Sequence, residues 1–401
     1  MTAISPVRLP ALPQELIDVI IENLAGDSTN LQACSLVSSS FREPAQRRLF
    51  RAIYIHLDET LDASLIHATQ ITSSPRLASF VESLKIHFHF RSCLFKTRVS
   101  WDGPPLILPR LRHLELNVID SGFGMYFKLL PHTVQDNLLR LMDSPQLEHL
   151  VVRAIKFPLR ILHSLDQIKH LELFPPFACM LKRDPLPLPY HALTPNSSGP
   201  GCLDTLSLID GMRDTAAFDE ILAAFEAPTS TVSLDRLRGL AGLIEGTESI
   251  RGLQRMLDLA GGTLEALSIT FFPFDADFAS AEQLNLACLS KLRWLHINIA
   301  TGTTEEACPA IARILSSVTQ DSGVVDVVVK AHLPGGCSAA ARWGCVDEVL
   351  ADKSRFPVLR ACVVDLPAQS GSPEIAQFLP KLAAKGCLEK SCNKGIGMVN
   401  T

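Results

Sequence analysis

The hexapeptide Leu111-Arg112-His113-Leu114-Glu115-Leu116 shows the pattern that decides the fold of most of this chain. Its apolar residues stand at positions one, four and six, so the last two lie on one face of a β-strand. Eight further segments repeat this spacing: Val81/Leu84/Ile86, Leu147/Leu150/Val152, Ile168/Leu171/Leu173, Leu203/Leu206/Leu208, Leu264/Leu267/Ile269, Leu292/Leu295/Ile297, Val324/Val327/Val329 and the weaker Leu359/Cys362/Val364. In the longest gap, between Leu203 and Leu264, we expect a degenerate copy at Leu234/Leu237.

Segments with helical periodicity separate these copies: Met125–Met142, Thr215–Phe225, Ile250–Ala260, Glu305–Ser317 and Pro373–Ala384. One strand and one helix cannot cover their own apolar faces, so successive units stack and share a core. The pattern therefore predicts an α/β fold in which residues 58–385 form an irregular, leucine-rich-repeat-like strand/helix solenoid. An ordinary α/β domain shares the alternation, but it would show longer buried strands and a glycine-rich ligand loop, and neither is evident.

Three segments lack this alternation of strand and helix patterns. Residues 175–200 contain seven prolines, a density that neither a packed helix nor a central strand tolerates. We expect a long inserted loop there, which either contacts a client or has no role. Residues 1–8 and the polar stretch 386–401 are expected to be flexible termini.

The first part of the chain predicts three short helices, within residues 9–57. Pro13 suits a first helical turn, and five apolar residues follow on one broad helical face: Leu16, Ile17, Ile20, Ile21 and Leu24. Gly26 ends that helix, and a second carries Leu31, Cys34, Leu36 and Val37. A third short helix leads into a strand at Ala52 to Leu57.

Residues 9–57 resemble the F-box family, in the divergent form abundant in mushroom-forming fungi. The resemblance rests on the order of three motifs, Leu12-Pro13-Gln14-Glu15-Leu16, Cys34-Ser35-Leu36-Val37 and Leu49-Phe50-Arg51. Ser38 and Phe41 stand where many F-boxes carry a basic residue and a tryptophan. The resemblance implies docking on the Skp-type adaptor of a cullin-based (SCF-type) ubiquitin ligase, with the repeats recruiting a protein client. It implies adaptor contacts by Leu12, Pro13, Leu16, Ile17, Ile20, Leu36 and Val37.

The client would meet the side chains that alternate with the buried leucines on the strands. These outward positions give the predicted client-binding residues: His113, Glu115, His149, Arg153, His170, Glu172, Trp294 and His296. Histidine recurs at the third position of this six-residue template in three copies, where it either contacts a client or belongs to a solvated face, and the sequence supplies no dependable further zinc ligands. No metal or cofactor is therefore predicted.

Composition narrows the function classes. A net charge of −5 gives no support for nucleic-acid binding. The 11 cysteines include no C-x-x-C motif, as expected of buried thiols in a reducing compartment. Neither a signal peptide nor a membrane-length apolar run is evident, so we expect a cytoplasmic or nuclear protein without membrane contact.

Three functional hypotheses remain at this stage. The first is the non-catalytic ligase adaptor, with no catalytic residue, because the common nucleophile and phosphate-loop motifs are missing. The second is an interaction scaffold whose N-terminal helices only cap the solenoid. The third is an enzyme on an α/β fold, which a deep polar pocket with shifted titratable groups would indicate.

Overall fold

The structure is a computed structural model that describes residues 12–57, 63–89, 105–119, 125–156, 166–174, 201–209, 216–227, 230, 232–244, 247–271, 284–299, 304–331, 340–365 and 379–389. It contains two compact units. The first comprises Met1–Ile119 and Leu130–Leu147, and the second comprises Asp120–Leu129 and Glu148–Thr401. The predicted flexible residues 1–8 and the proline-rich insertion 175–200 lie outside the described residues.

The first unit begins with the three predicted helices, α1 (Gln14–Asn23), α2 (Ser28–Val37) and α3 (Ser39–Leu49). The side chain of Asp27 accepts the backbone N–H of Asn30 at 3.0 Å and so caps α2. The hydroxyl of Ser38 caps α3 in the same way. Buried residues of all three helices then form one small core: Ile17, Ile21, Leu31 and Ala45.

Three parallel strands follow in the same unit, β1 (Ala52–Leu57), β2 (Ser83–His89) and β3 (His113–Ile119). Ile53, Leu84 and Leu114 are in register across them and are buried, as the template predicts. The helices of this part are α4 (Ala63–Thr72), α5 (Pro75–Ala78) and α6 (His132–Met142).

The second unit contains one long row of parallel strands. Strands β4 (Met125–Tyr126) and β6 (Ile155–Lys156) pair separately. The row runs strictly in chain order: β5 (His149–Arg153), β7 (His170–Phe174), β8 (Thr205–Ile209), β9 (Gly239–Ile244), β10 (Ala266–Phe271), β11 (Trp294–Ile299), β12 (Asp326–Ala331), β13 (Ala361–Asp365) and β14 (Leu388–Glu389). The helices are α7 (Ala216–Glu226), α8 (Thr247–Ala260), α9 (Thr304–Ser316), α10 (Ala340–Ala351) and α11 (Pro380–Ala384).

These elements confirm the α/β class. All nine template copies fall on strands, and their described leucine-type positions point into the core. Within each unit the row of parallel strands follows chain order, without the reversal of order that creates the ligand crevice of a doubly wound sheet.

The degenerate copy lies where the longest gap predicts a strand, at β9. The copy predicted at Leu234/Leu237 is displaced by three residues: Leu237 and Leu240 fill the first two apolar template positions and are fully buried, and the third is Gly242. A Cβ atom at Gly242 would lie 3.5 Å from a methyl group of Leu253 on α8. The side chain of that helix therefore occupies the space that a leucine of the strand fills elsewhere.

Three predicted boundaries are wrong. Of the described residues in the helix predicted over Pro373–Ala384, Leu379 is not helical and the helix begins only at Pro380. The helix predicted over Met125–Met142 begins only at His132, because Pro131 adopts an extended conformation and Met125–Tyr126 form a strand. The tail predicted to be flexible from residue 386 begins with a strand, since Leu388 and Glu389 pair with Cys362 and Val363. Residues 390–401 lie outside the described residues.

A charge ladder precedes the strands. The residue directly before each of nine strands is charged, and its sign alternates along the order of strands within each unit. The first unit has Arg51, Glu82 and Arg112, and the second has Glu148, Lys169, Asp204, Arg238, Glu265 and Arg293 before Val325 interrupts the series. Arg238 donates two hydrogen bonds to Glu265, at 3.0 and 2.9 Å, with little exposure of either side chain. Alternating charges at one template position therefore favour a single register of neighbouring repeats.

Candidate functional site

Large apolar side chains are exposed at the start of and along α1 and at the end of α2. Six such side chains are 38% to 81% exposed: Leu12, Leu16, Val19, Ile20, Leu36 and Val37. Pro13 is exposed beside them. We call these seven residues the docking face. Large apolar side chains grouped on a small helical module are typical of a surface that binds another protein.

Ile17 does not belong to the docking face. It is 2% exposed and packs with Ile21, Leu31 and Ala45, because the broad apolar stripe of α1 divides into two sides. Leu16 and Ile20 point to solvent, whereas Ile17 and Ile21 point into the core. The predicted contact of Ile17 with an adaptor is therefore corrected: this residue supports the face from within.

A polar cleft of about 650 Å³ lies on another side of the same helices. Exposed ion pairs surround it, among them Arg47 with Glu43 at 3.1 Å and Arg48 with Glu22 at 3.6 Å. Such pairs contribute little to stability because water screens them.

On the outward face of the strands in the first unit, side chains of neighbouring strands contact one another. Tyr54, Lys85 and Glu115 occupy one register row. The ammonium of Lys85 lies 3.0 Å from the carboxylate of Glu115 and 5.7 Å from the ring of Tyr54. His113 Nε2 lies 4.0 Å from the same carboxylate. The predicted client residues His113 and Glu115 are thus brought together, and both are half-buried.

Four predicted client residues of the second unit form a connected group that we call the charged patch: His149, Arg153, His170 and Glu172. The carboxylate of Glu172 lies 3.2 Å from His149 Nε2 and 3.9 Å from Arg153. The rings of His149 and His170 stand edge to face, 5.6 Å apart, and His170 Nδ1 lies 2.9 Å from the hydroxyl of Thr205. Burial, with a contribution from the neighbouring His149, lowers the pKa of His170 to about 4, so the ring is neutral near pH 7.

A second group lies further along the same face and contains no charged side chain. We call Ser268, Thr270, His296 and Asn298 the neutral patch. Ser268 and Thr270 of β10 are in register with His296 and Asn298 of β11, and all four occupy outward template positions. Trp294 lies at its edge and packs against Ala241 and Ala266, whose small side chains leave room for the indole.

Two polar atoms of the neutral patch are buried and have no hydrogen-bond partner: His296 Nε2 and Asn298 Oδ1. The other ring nitrogen of His296, Nδ1, lies 3.3 Å from the hydroxyl of Ser268. Burial and then the charge of Lys330 lower the pKa of His296 to about 3, so this ring is neutral as well. Folded proteins rarely leave buried polar atoms unpaired, so these two atoms mark a place where a bound group would gain hydrogen bonds.

His296 differs from its prediction as an open client-contacting side chain. Its outward template position is confirmed, but only 2% of the residue is exposed. Alternation along a strand fixes the face on which a side chain lies, whereas its exposure depends on neighbouring strands. Trp294, whose ring lies 5.5 Å from that of His296, is half-buried.

The sequence prediction omitted Ser268, Thr270 and Asn298 from the candidate site. The alternation that selected Trp294 and His296 also places Asn298 on their face, and aligning the copies of β10 and β11 adds the two hydroxyl residues. The charge ladder is visible in the same alignment, at the second template position.

Within the described parts of the chain, no three His, Cys, Asp or Glu residues are grouped so that they could hold a metal ion. None of the helices described is both long and apolar enough to cross a membrane. No protein-family model matches the chain, and comparison with curated proteins finds no significant relative.

Proposed function

We propose that this protein is the substrate-recognition adaptor of an SCF-type ubiquitin ligase, docking on a Skp-type adaptor through its N-terminal helices and holding a protein client with its repeats. The observation that carries the proposal is the docking face, where Leu36 and Val37 of the F-box-like motif Cys34-Ser35-Leu36-Val37 are 81% and 75% exposed. Apolar side chains that remain this exposed gain free energy when a partner covers them.

The form of the docking face suits recognition of a helical adaptor. Residues of α1 and α2 present apolar anchors at helical spacing, as in complexes in which a helix enters an apolar groove. Charged residues of α1 and α3 line the polar cleft instead, among them Asp18, Glu22 and Glu43. The role that we propose is proximity: the chain would place its client beside the charged conjugating enzyme without making or breaking a bond.

A pulldown of the purified full-length chain with the Skp adaptor tests the proposal. We expect the wild type to bind and Leu16→Asp/Leu36→Asp to lose binding at least tenfold, because each charge would be buried against an apolar partner. Both side chains are exposed, so the variant should fold. Val358→Asp is the matched control, since Val358 is 49% exposed and belongs to the second unit.

The result can contradict the proposal in two ways. A wild-type chain that does not bind the adaptor would exclude docking, and equal binding by both variants would place any docking elsewhere.

The second candidate is a scaffold in which the N-terminal helices serve as a cap. Its support is that α1 to α3 share one compact unit with β1 to β3. Removing residues 1–50 separates the two functions: loss of a cap would unfold or aggregate the repeats, whereas loss of a docking module would leave a soluble, folded remainder that no longer binds the adaptor.

A further inference from the structure

We infer that the neutral patch binds an extended, uncharged segment of a protein client by hydrogen bonds to its backbone amides. The inference deepens the proposed client recognition by the repeats and rests on it, but it does not depend on adaptor binding. It starts from the two buried atoms without a partner, His296 Nε2 and Asn298 Oδ1. The hydroxyl of Ser268 already lies within hydrogen-bond distance of the other ring nitrogen of His296. Some polar atoms of the patch therefore have a partner inside the protein and others do not.

The spacing of the two residues fits an extended peptide. His296 and Asn298 are alternate residues of one strand, so they repeat at about 6.6 Å along the outward face. Backbone amides that point to one side of an extended peptide repeat at the same distance. A client strand lying along β11 can therefore place one amide group at each residue.

The chemistry of the patch favours an uncharged group. Asn298 Oδ1 accepts a hydrogen bond, which a backbone N–H supplies and a phosphate or carboxylate does not. The neutral ring of His296 can likewise bond to an amide, as donor or acceptor according to its tautomer. Of the residues that flank the two in register, Ser268, Thr270 and Val328 carry no charge, whereas Lys330 lies beside Asn298 on β12.

The residues around the neutral patch indicate the side from which a peptide would approach it. Asn298, Val328 and Lys330 are half-buried, so a peptide approaches from the β12 side, and rotation of the Asn298 and His296 side chains must bring their buried atoms to it. Trp294 offers a flat apolar surface at the start of the strand, suited to a side chain of the same peptide. Two charged residues of β12, Asp326 and Lys330, are in register with Trp294 and Asn298 and bound the neutral patch at its two ends.

A random peptide library displayed on phage, selected on the full-length wild-type chain, tests the inference. Selected peptides are then synthesised, and their affinities are measured for the wild type, for Asn298→Leu and for Asn117→Leu. Asn117 is the matched control, because it is half-buried at the same template position of β3. We expect uncharged peptides that bind Asn298→Leu at least tenfold more weakly and bind Asn117→Leu like the wild type.

Peptides methylated on single backbone nitrogens identify the bonding group. If a peptide N–H donates to Asn298, methylating that nitrogen should weaken binding to the wild type and should not weaken binding to Asn298→Leu any further. The inference is overturned if selection yields no peptide that depends on Asn298, if the selected peptides are charged, or if N-methylation acts equally on both proteins. A failed adaptor pulldown with the same wild-type protein would count against the proposed ligase role alone.

Discussion

The charged patch and the neutral patch occupy the same outward face of one sheet, yet the extent to which their side chains pair with one another differs. In the charged patch Glu172 reaches both His149 and Arg153, and His170 reaches Thr205. In the neutral patch His296 and Asn298 each keep one buried polar atom without a partner. Side chains that pair with one another stabilise the fold, whereas the two buried atoms of the neutral patch can still form hydrogen bonds with another molecule.

The contacts in the two patches distinguish histidines that strand alternation alone cannot tell apart. His149, His170 and His296 all lie on outward positions of strands and all are candidate client contacts by pattern. Structure assigns the first two to a network of the protein's own side chains. It leaves His296 and Asn298 as the better candidates for recognition, and the predictions below test that assignment.

The largest effect should come from lowering the pH, which acts on both patches. The pKa of His170 is about 4 and that of His296 about 3, both below the ordinary value of 6.5 because the rings are buried. Below pH 6.5 the unfolded chain therefore binds protons that the folded chain does not. Stability falls with falling pH by up to about 1.4 kcal/mol per pH unit for each histidine, to about pH 4 for His170 and about pH 3 for His296.

Urea unfolding at several pH values, followed by tryptophan fluorescence, measures this loss, since Trp294 and Trp343 both lie in the second unit. His170→Gln and His296→Gln should each flatten the dependence of unfolding free energy on pH, and the double variant should flatten it further. An unchanged slope in either single variant would show that its ring already takes up a proton in the folded chain.

A smaller effect should follow from breaking the charged patch. Glu172→Leu removes the shared partner of His149 and Arg153 and should lower the free energy of unfolding by about 2 kcal/mol, because His149 loses a hydrogen bond and Arg153 loses an ion pair, both partly buried. The control is Glu148→Leu, since Glu148 pairs with Lys169 at the surface and such pairs contribute about 0–1 kcal/mol. If urea unfolding shows the same loss of unfolding free energy in Glu172→Leu and Glu148→Leu, the charged patch contributes no more than a surface ion pair.

The strand ladder could be predicted from sequence because its cause is local. The apolar-x-x-apolar-x-apolar spacing places Leu114, Leu150 and Leu295 inward by strand geometry alone. At the third apolar position of β9 the spacing does not predict the residue, because Leu253 of α8 fills the space that a side chain at Gly242 would occupy. The sequence pattern identifies the strand, but only the packing of α8 explains why one of its inward positions is a glycine.

The candidate sites were less predictable because exposure and pairing depend on residues distant in sequence. Ile17 and Leu16 are adjacent apolar residues of one helix, and the contacts of Ile17 with α2 and α3 decide which is buried. His296 owes its burial and its bond with Ser268 to β10, 28 residues away in sequence. No periodicity within one strand contains that information.

The smallest expected effect has the opposite sign and is the sharpest test of the comparison. Asn298→Leu replaces a buried, unpaired amide oxygen with an apolar group of similar size, so the free energy of unfolding should rise by about 1 kcal/mol. The same substitution in the charged patch, Glu172→Leu, should lower it, and Asn117→Leu controls for the template position. A loss of stability in Asn298→Leu, measured by the same urea unfolding, would mean that this oxygen is paired within the folded chain. A gain, together with weaker peptide binding, would mean that the chain gives up stability at Asn298 in order to bind.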